Sequence, residues 1–144
     1  MLQGRMRLFL TTAATLLAVA ACTRERDLMV WEMKVPSPDG SLVASASTLQ
    51  NGGFGSADIE TTVYLEASGG AKPVQVLSIN CPGPMPHPYA LDNIANRGGS
   101  IDLGMTWLDR AHLYITYRGP AHVDVQLARA SGVEITVEAL APQK

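Results

Sequence analysis

The side chains of this chain best equipped for chemistry are Cys22, Cys81, Met85, His87, His112 and His122. Cys81, Met85 and His87 fall within seven residues of one another, interleaved with Pro82, Pro84, Pro86 and Pro88. Thiolate, thioether and imidazole are the donors that soft copper prefers, which makes this loop the metal candidate. The simpler reading is a proline-stiffened loop in which Cys81 packs as a small hydrophobe. Zinc is disfavoured, because the chain lacks paired Cys/His spacing. A hairpin through residues 118–121 would set His122 beside Tyr117 and His112 beside Leu127. The two histidines would then lie several residues apart along the ladder, too far to share a ligand, so each reads as a surface or strand-face residue. The run Gly52-Gly53-Phe54-Gly55-Ser56 has no P-loop lysine and leads into a strand rather than a helix. It therefore reads as a hairpin connection and not as a phosphate cradle. No serine, histidine and aspartate stand in a recognisable catalytic context, so the expectation is a protein that is not an enzyme.

Cys22 has a different setting. Arg5 and Arg7 precede an apolar run, Leu8–Ala21, which closes on Val19-Ala20-Ala21-Cys22. The run has 14 residues and is interrupted by Thr11, Thr12 and Thr15, whereas crossing a bilayer takes about 20 mainly apolar residues. A basic start, a short apolar stretch and small residues before the processing point are the marks of a secretory signal. The ending resembles the lipobox of bacterial lipoproteins. That resemblance implies that residues 1–21 are a cleaved signal peptide and that Cys22 carries a thioether-linked diacylglycerol, usually with a further acyl chain such as palmitate on its new amino terminus. One acyl chain binds a membrane marginally, while two anchor it stably. The resemblance thus places the protein in a bacterial cell envelope, lipid-anchored to a membrane. By the sorting rule of enterobacterial lipoproteins, Thr23 in place of aspartate favours the outer membrane, with the protein facing the periplasm. Residues 22–27 then form a polar, lipidated tether, and residues 28–144 a single domain.

Removal of the signal leaves 123 of the 144 residues, with nine basic side chains against 13 acidic ones, a formal charge of −4. A weakly acidic domain has no electrostatic footprint for nucleic acid and no attraction to anionic lipid. Its length is that of one ordinary domain, enough to bury a core without staples. The sequence contains two cysteines, Cys22 and Cys81. Lipidation would consume the first thiol, which leaves no intramolecular disulfide and makes Cys81 a buried thiol by default.

From residue 28 onward, apolar residues recur with period two, as in strands with one buried face. Met29, Trp31 and Met33 form one such set, and Ile59, Thr61, Val63 and Leu65 another. Ile101–Trp107, Leu113–Tyr117, Val123–Leu127 and Val133–Val137 continue the pattern, with Leu42–Ser47 and Val74–Ile79 less regular. Pro38-Asp39-Gly40, Ser68-Gly69-Gly70, Arg118-Gly119-Pro120 and Ala130-Ser131-Gly132 supply turn chemistry between them. The expected fold is all-β: about eight antiparallel strands in a small sandwich or rolled sheet, with little helix. Trp31 and Trp107 fall on apolar strand faces and read as core. Two long connections interrupt the strands. Gln50–Ala57 is glycine-rich, and Asn80–Ser100 is long enough to be functional or disordered, with room for one helical turn at Leu91–Asn96.

Ser37-Pro38-Asp39-Gly40, the strand that follows, Thr61–Leu65 and Ser68-Gly69-Gly70 together resemble one blade of a TolB-type β-propeller. Thr106–Leu113, with its Trp107-Leu108-Asp109, resembles the start of a second, degenerate unit. Two blades cannot close a propeller, so two such units must bury their faces against each other. The same order of features over residues 36–117 is similar to an uncharacterised family of small bacterial envelope proteins that contain an SPDG start. That family has no activity to carry over. The sequence therefore points to a non-enzymatic, membrane-anchored module that binds an envelope protein through a sheet edge or the Asn80–Ser100 loop. The alternative is a small-ligand or copper-binding accessory protein using Cys81, Met85 and His87.

Overall fold

The computed structural model describes residues 28–53, 56–81, 101–119 and 121–141. These build nine strands: β1 (Leu28–Pro36), β2 (Leu42–Gly53), β3 (Ser56–Ala67), β4 (Val74–Cys81), β5 (Gly104–Asp109), β6 (His112–Tyr117), β7 (His122–Gln126), β8 (Arg129–Ala130) and β9 (Val133–Ala139). One sheet has the order β1-β2-β3-β4-β7 and the other β5-β6-β9-β8. The protein is all-β, and no helix among the described residues is long and apolar enough to cross a membrane.

The first four strands form an antiparallel meander whose register follows from alternation. Val35, Met33 and Trp31 lie opposite Ala44, Ala46 and Thr48, which lie opposite Leu65, Val63 and Thr61. One-residue slippage would turn every one of these side chains to solvent. The second sheet supplies Met105, Leu113, Ile115, Val133 and Ile135 to the same core. Trp31 and Trp107 pack against its margin, as their positions in the sequence suggested.

Several boundaries depart from expectation. β2 and β3 stay paired as far as Gly53 opposite Ser56, so most of the expected glycine-rich connection is strand, and its residues 54 and 55 lie outside the described residues. Glycine tolerates an extended ladder even though it does not favour one. β4 runs on through Asn80 to Cys81, which pairs with Ile59. The remainder of the expected Asn80–Ser100 loop, with the helical turn at Leu91–Asn96, lies outside the described residues. Ile101–Leu103 precede β5 instead of belonging to it. Asp102 there adopts a positive φ of 48°, and its carboxylate accepts a 3.0 Å bond from Arg118 Nη1.

The expected hairpin between Leu113–Tyr117 and Val123–Leu127 does not form. β6 and β7 lie in different sheets, β7 pairing with β4 and β6 with β5 and β9. The β6–β9 pair is parallel, the one exception to antiparallel pairing among the described residues. Alternation shows which face of a strand is buried but not which neighbour it pairs with. The register of β7 on β4 also shifts between Ser78 and Ile79, so Val123 lies opposite Ile79 and Val125 opposite Ser78. Val125 is accordingly exposed and not in the core. β7 thus crosses back to the first sheet, which holds the Ser37–Gly70 stretch, while Thr106–Leu113 lies in the second.

Candidate functional site

Of the residues singled out for chemistry, Cys22, Met85 and His87 lie outside the described residues. Cys81 ends β4 with its side chain in the core, 5% exposed. A thiol so placed packs as a small apolar group.

The two histidines are far apart in the topology. His122 opens β7 opposite Asn80 in the first sheet, and its Nε2 stands 3.5 Å from Asp124. His112 opens β6 in the second sheet, opposite Glu134 of β9. A separation of the two was expected, but its cause is different: they stand in separate sheets, not at two levels of one hairpin.

His112 belongs to a small cluster that the sequence did not disclose. Asp109 closes the β5–β6 turn by accepting a 2.7 Å bond from the Ala111 backbone N–H. Its other carboxylate oxygen lies 2.6 Å from His112 Nδ1, while Glu134 Oε2 lies 3.2 Å from His112 Nε2. The imidazole is 46% exposed. Asp109, by hydrogen bond and then by charge, raises its pKa above the ordinary value, and Glu134 adds to this. The Ala111 and His112 bonds in turn hold the Asp109 carboxyl below its usual range. Along the same face Tyr114 donates to Glu138 across the parallel pair, which pushes the phenol pKa up.

The geometry limits the chemistry available to this cluster. Each ring nitrogen is engaged by a different carboxylate, so neither is left to accept a proton from a hydroxyl nucleophile or to ligate a metal. Among the described residues no group of three His, Cys, Asp or Glu side chains is arranged to hold a metal ion. The cluster acts as a fastener that ties the β5–β6 turn to the last strand. Only the Asp-x-x-His spacing at a turn was visible beforehand, since Glu134 arrives through a parallel pairing of distant segments.

The Ser37–Ser41 turn is likewise internally satisfied. Asp39 Oδ1 accepts bonds from Ser37 Oγ at 2.8 Å and from the Ser41 N–H and Oγ at 3.1 and 2.8 Å. These bonds, with Ser37 the largest contributor, lower the Asp39 pKa to about 2. Gly40 takes a φ of 70°, where a side chain is strained. The Ser68 hydroxyl donates to the Gly40 carbonyl at 2.6 Å and binds the next turn to this one. Trp107 also acts structurally: its Nε1–H donates to the Val35 carbonyl at 3.0 Å and joins the two sheets.

The outer face of the first sheet is a field of hydroxyls and carboxylates. Ser45 donates to Glu66 at 2.5 Å and Ser78 to Glu60 at 2.8 Å, and Lys34 pairs with Glu32 at 2.9 Å. The two serine–glutamate bonds are cross-strand contacts of the kind that order a sheet surface, while the Lys34–Glu32 pair lies within β1. No protein-family model, curated protein or solved structure matches this chain.

Proposed function

We propose that this protein is a bacterial envelope lipoprotein, held to a membrane by lipid on Cys22, whose β domain serves as a non-enzymatic interaction or structural module. The observation that carries the reading is the sequence Val19-Ala20-Ala21-Cys22 at the end of a short apolar run that follows two arginines. The described strands begin at Leu28, so only residues 23–27 separate the lipidated position from the domain. A diacylglyceryl cysteine brings enough hydrocarbon to hold the protein without an apolar surface of its own. The outer membrane, viewed from the periplasm, is the proposed address, on the strength of Thr23 at the sorting position.

The interaction role is supported by what the polar groups are doing. His112, Asp109, Asp39 and Trp107 are each engaged in holding turns or joining sheets, and none is poised for bond making or breaking. The sheet edges offer the alternative currency of backbone hydrogen bonds. β1 and β7 border the first sheet and β5 and β8 the second. β1 is guarded by Lys34, Glu32 and Pro36, and β8 has two residues. The partner is an envelope protein, bound at an edge or through the segment that follows Cys81.

Chemical cross-linking in intact cells, with wild type and Cys22→Ala compared by mass spectrometry, tests this reading. A defined envelope protein captured only by the lipidated form is the expected result. Equal solubility of the two forms with no captured partner would overturn it.

A further inference from the structure

The strand register gives the domain two distinct ends. At the first, Leu28 lies level with Gln50, Ile59 and Cys81, and His122 enters beside Asn80. The β2–β3 ladder continues past this level for three more pairs, to Gly53 opposite Ser56. At about 3.3 Å per residue the hairpin therefore overhangs Leu28 by about 10 Å. Met29, 55% exposed, stands at the same end.

The opposite end carries the turns. Pro36 lies opposite Val43, Leu42 opposite Ala67, and Leu65 opposite Val74. The second sheet is aligned with it, because Trp107, near the end of β5, donates to the Val35 carbonyl near the end of β1. β6 runs from His112 toward Tyr117, four residues before β7 starts level with Asn80. The Asp109–His112 turn thus shares the far end with the Ser37–Ser41 and Ser68–Pro73 turns. Exposed there is Leu108, at 66%.

Chain length then decides which end meets the lipid. Cys22 and Leu28 are six residues apart, and six residues span at most about 20 Å however they are arranged. β1 itself extends about 26 Å from Leu28 to Pro36. With the far end pointing down, Leu28 would stand higher above the bilayer than the tether can reach. With the Leu28 end down, no such conflict arises.

We infer that the end of the domain formed by Leu28 and the overhanging β2–β3 hairpin faces the lipid bilayer, and that the far end, with Asp39, Leu108, Asp109 and His112, is held outward. The inference rests on the lipoprotein reading and adds an orientation to it. The contact is set by the short tether and not by charge, since a domain of net charge −4 has no attraction for anionic headgroups.

The test uses full-length protein, lipidated in a bacterial host, in vesicles whose headgroups carry a paramagnetic chelate, with amide signals read by NMR. Broadening of Gly52, Gly53 and Ala57 severalfold beyond that of Gly40, Ser68 and Gly69 is the expected result. A long glycine-serine insertion between Asp27 and Leu28 should erase the difference. Equal or reversed broadening in protein whose Cys22 carries lipid by intact mass would overturn the orientation while leaving the anchor in place, as would a difference that survives the insertion. Protein without lipid on Cys22 would overturn the anchor and the orientation together.

Discussion

The two sheets are held together by different kinds of contact. In the first, β1 to β4 follow one another in sequence and in space, joined by turns whose residues are specified locally. Pro38, Asp39 and Gly40 make one turn, and β2 and β3 stay paired as far as Gly53 opposite Ser56. In the second, the central pairing is β6 with β9, parallel and separated by the whole of β7 and β8. A parallel pair needs a crossover connection, and here a strand of the other sheet forms part of it. The meander is therefore stabilised by neighbours in the chain, whereas the second sheet depends on contacts that exist only once the fold has closed. The His112 cluster and the Tyr114–Glu138 bond lie on that non-local seam.

The sharpest way to break the contrast is to empty the core at the seam. Ile115 is fully buried at the centre of β6, between β5 and β9. Ile115→Ala should cost about 2–5 kcal/mol, measured by urea unfolding. Amide protection should fall first in β9 and only later in β2 and β3. Simultaneous loss in both sheets would erase the distinction.

Trp107→Phe keeps an aromatic ring but removes the donor to the Val35 carbonyl. The bond is only partly buried, so its loss should cost about 0.5–1.5 kcal/mol in the same unfolding experiment. The local counterpart is Gly40→Ala. Nothing lies within 4 Å of the added Cβ, so its cost is purely the positive φ, about 1–2 kcal/mol, and its effect on exchange should stay within β1, β2 and β3.

The smallest effect is on pH. His112 has a raised pKa in the folded chain, so its contribution is fully present below the unfolded value and is lost as pH rises through the folded one. Exchange protection of β9 should decline across that interval, and His112→Asn should flatten the dependence. Asp39 behaves in the opposite sense. Its stabilisation is present above the ordinary carboxyl range and is lost as pH falls toward about 2, at the Ser37–Ser41 turn. NMR titration of both groups separates the two ends of the pH axis.

The same contrast explains what the sequence made legible. Alternation identified the buried faces of β3, β6 and β9, and turn chemistry placed Asp39 and Gly40 correctly. It placed Val125 in the core wrongly, because a register shift on β4 is invisible in one strand's pattern. It joined β6 to β7 as a hairpin because adjacency in sequence usually means adjacency in space. The burial of Cys81 followed from the ordinary packing of a cysteine as a small hydrophobe. The Asp109–His112–Glu134 cluster was out of reach, since half of it depends on the parallel pairing.

Intact mass spectrometry of the protein purified from bacterial membranes tests the lipid anchor on Cys22 most directly. The account predicts a mature chain that starts at Cys22 and carries the mass of a diacylglyceryl group, and a Cys22→Ala form that leaves the membrane fraction. An unmodified Cys22 in a chain that keeps its first 21 residues, or a Cys22→Ala protein that remains membrane-bound, would contradict it.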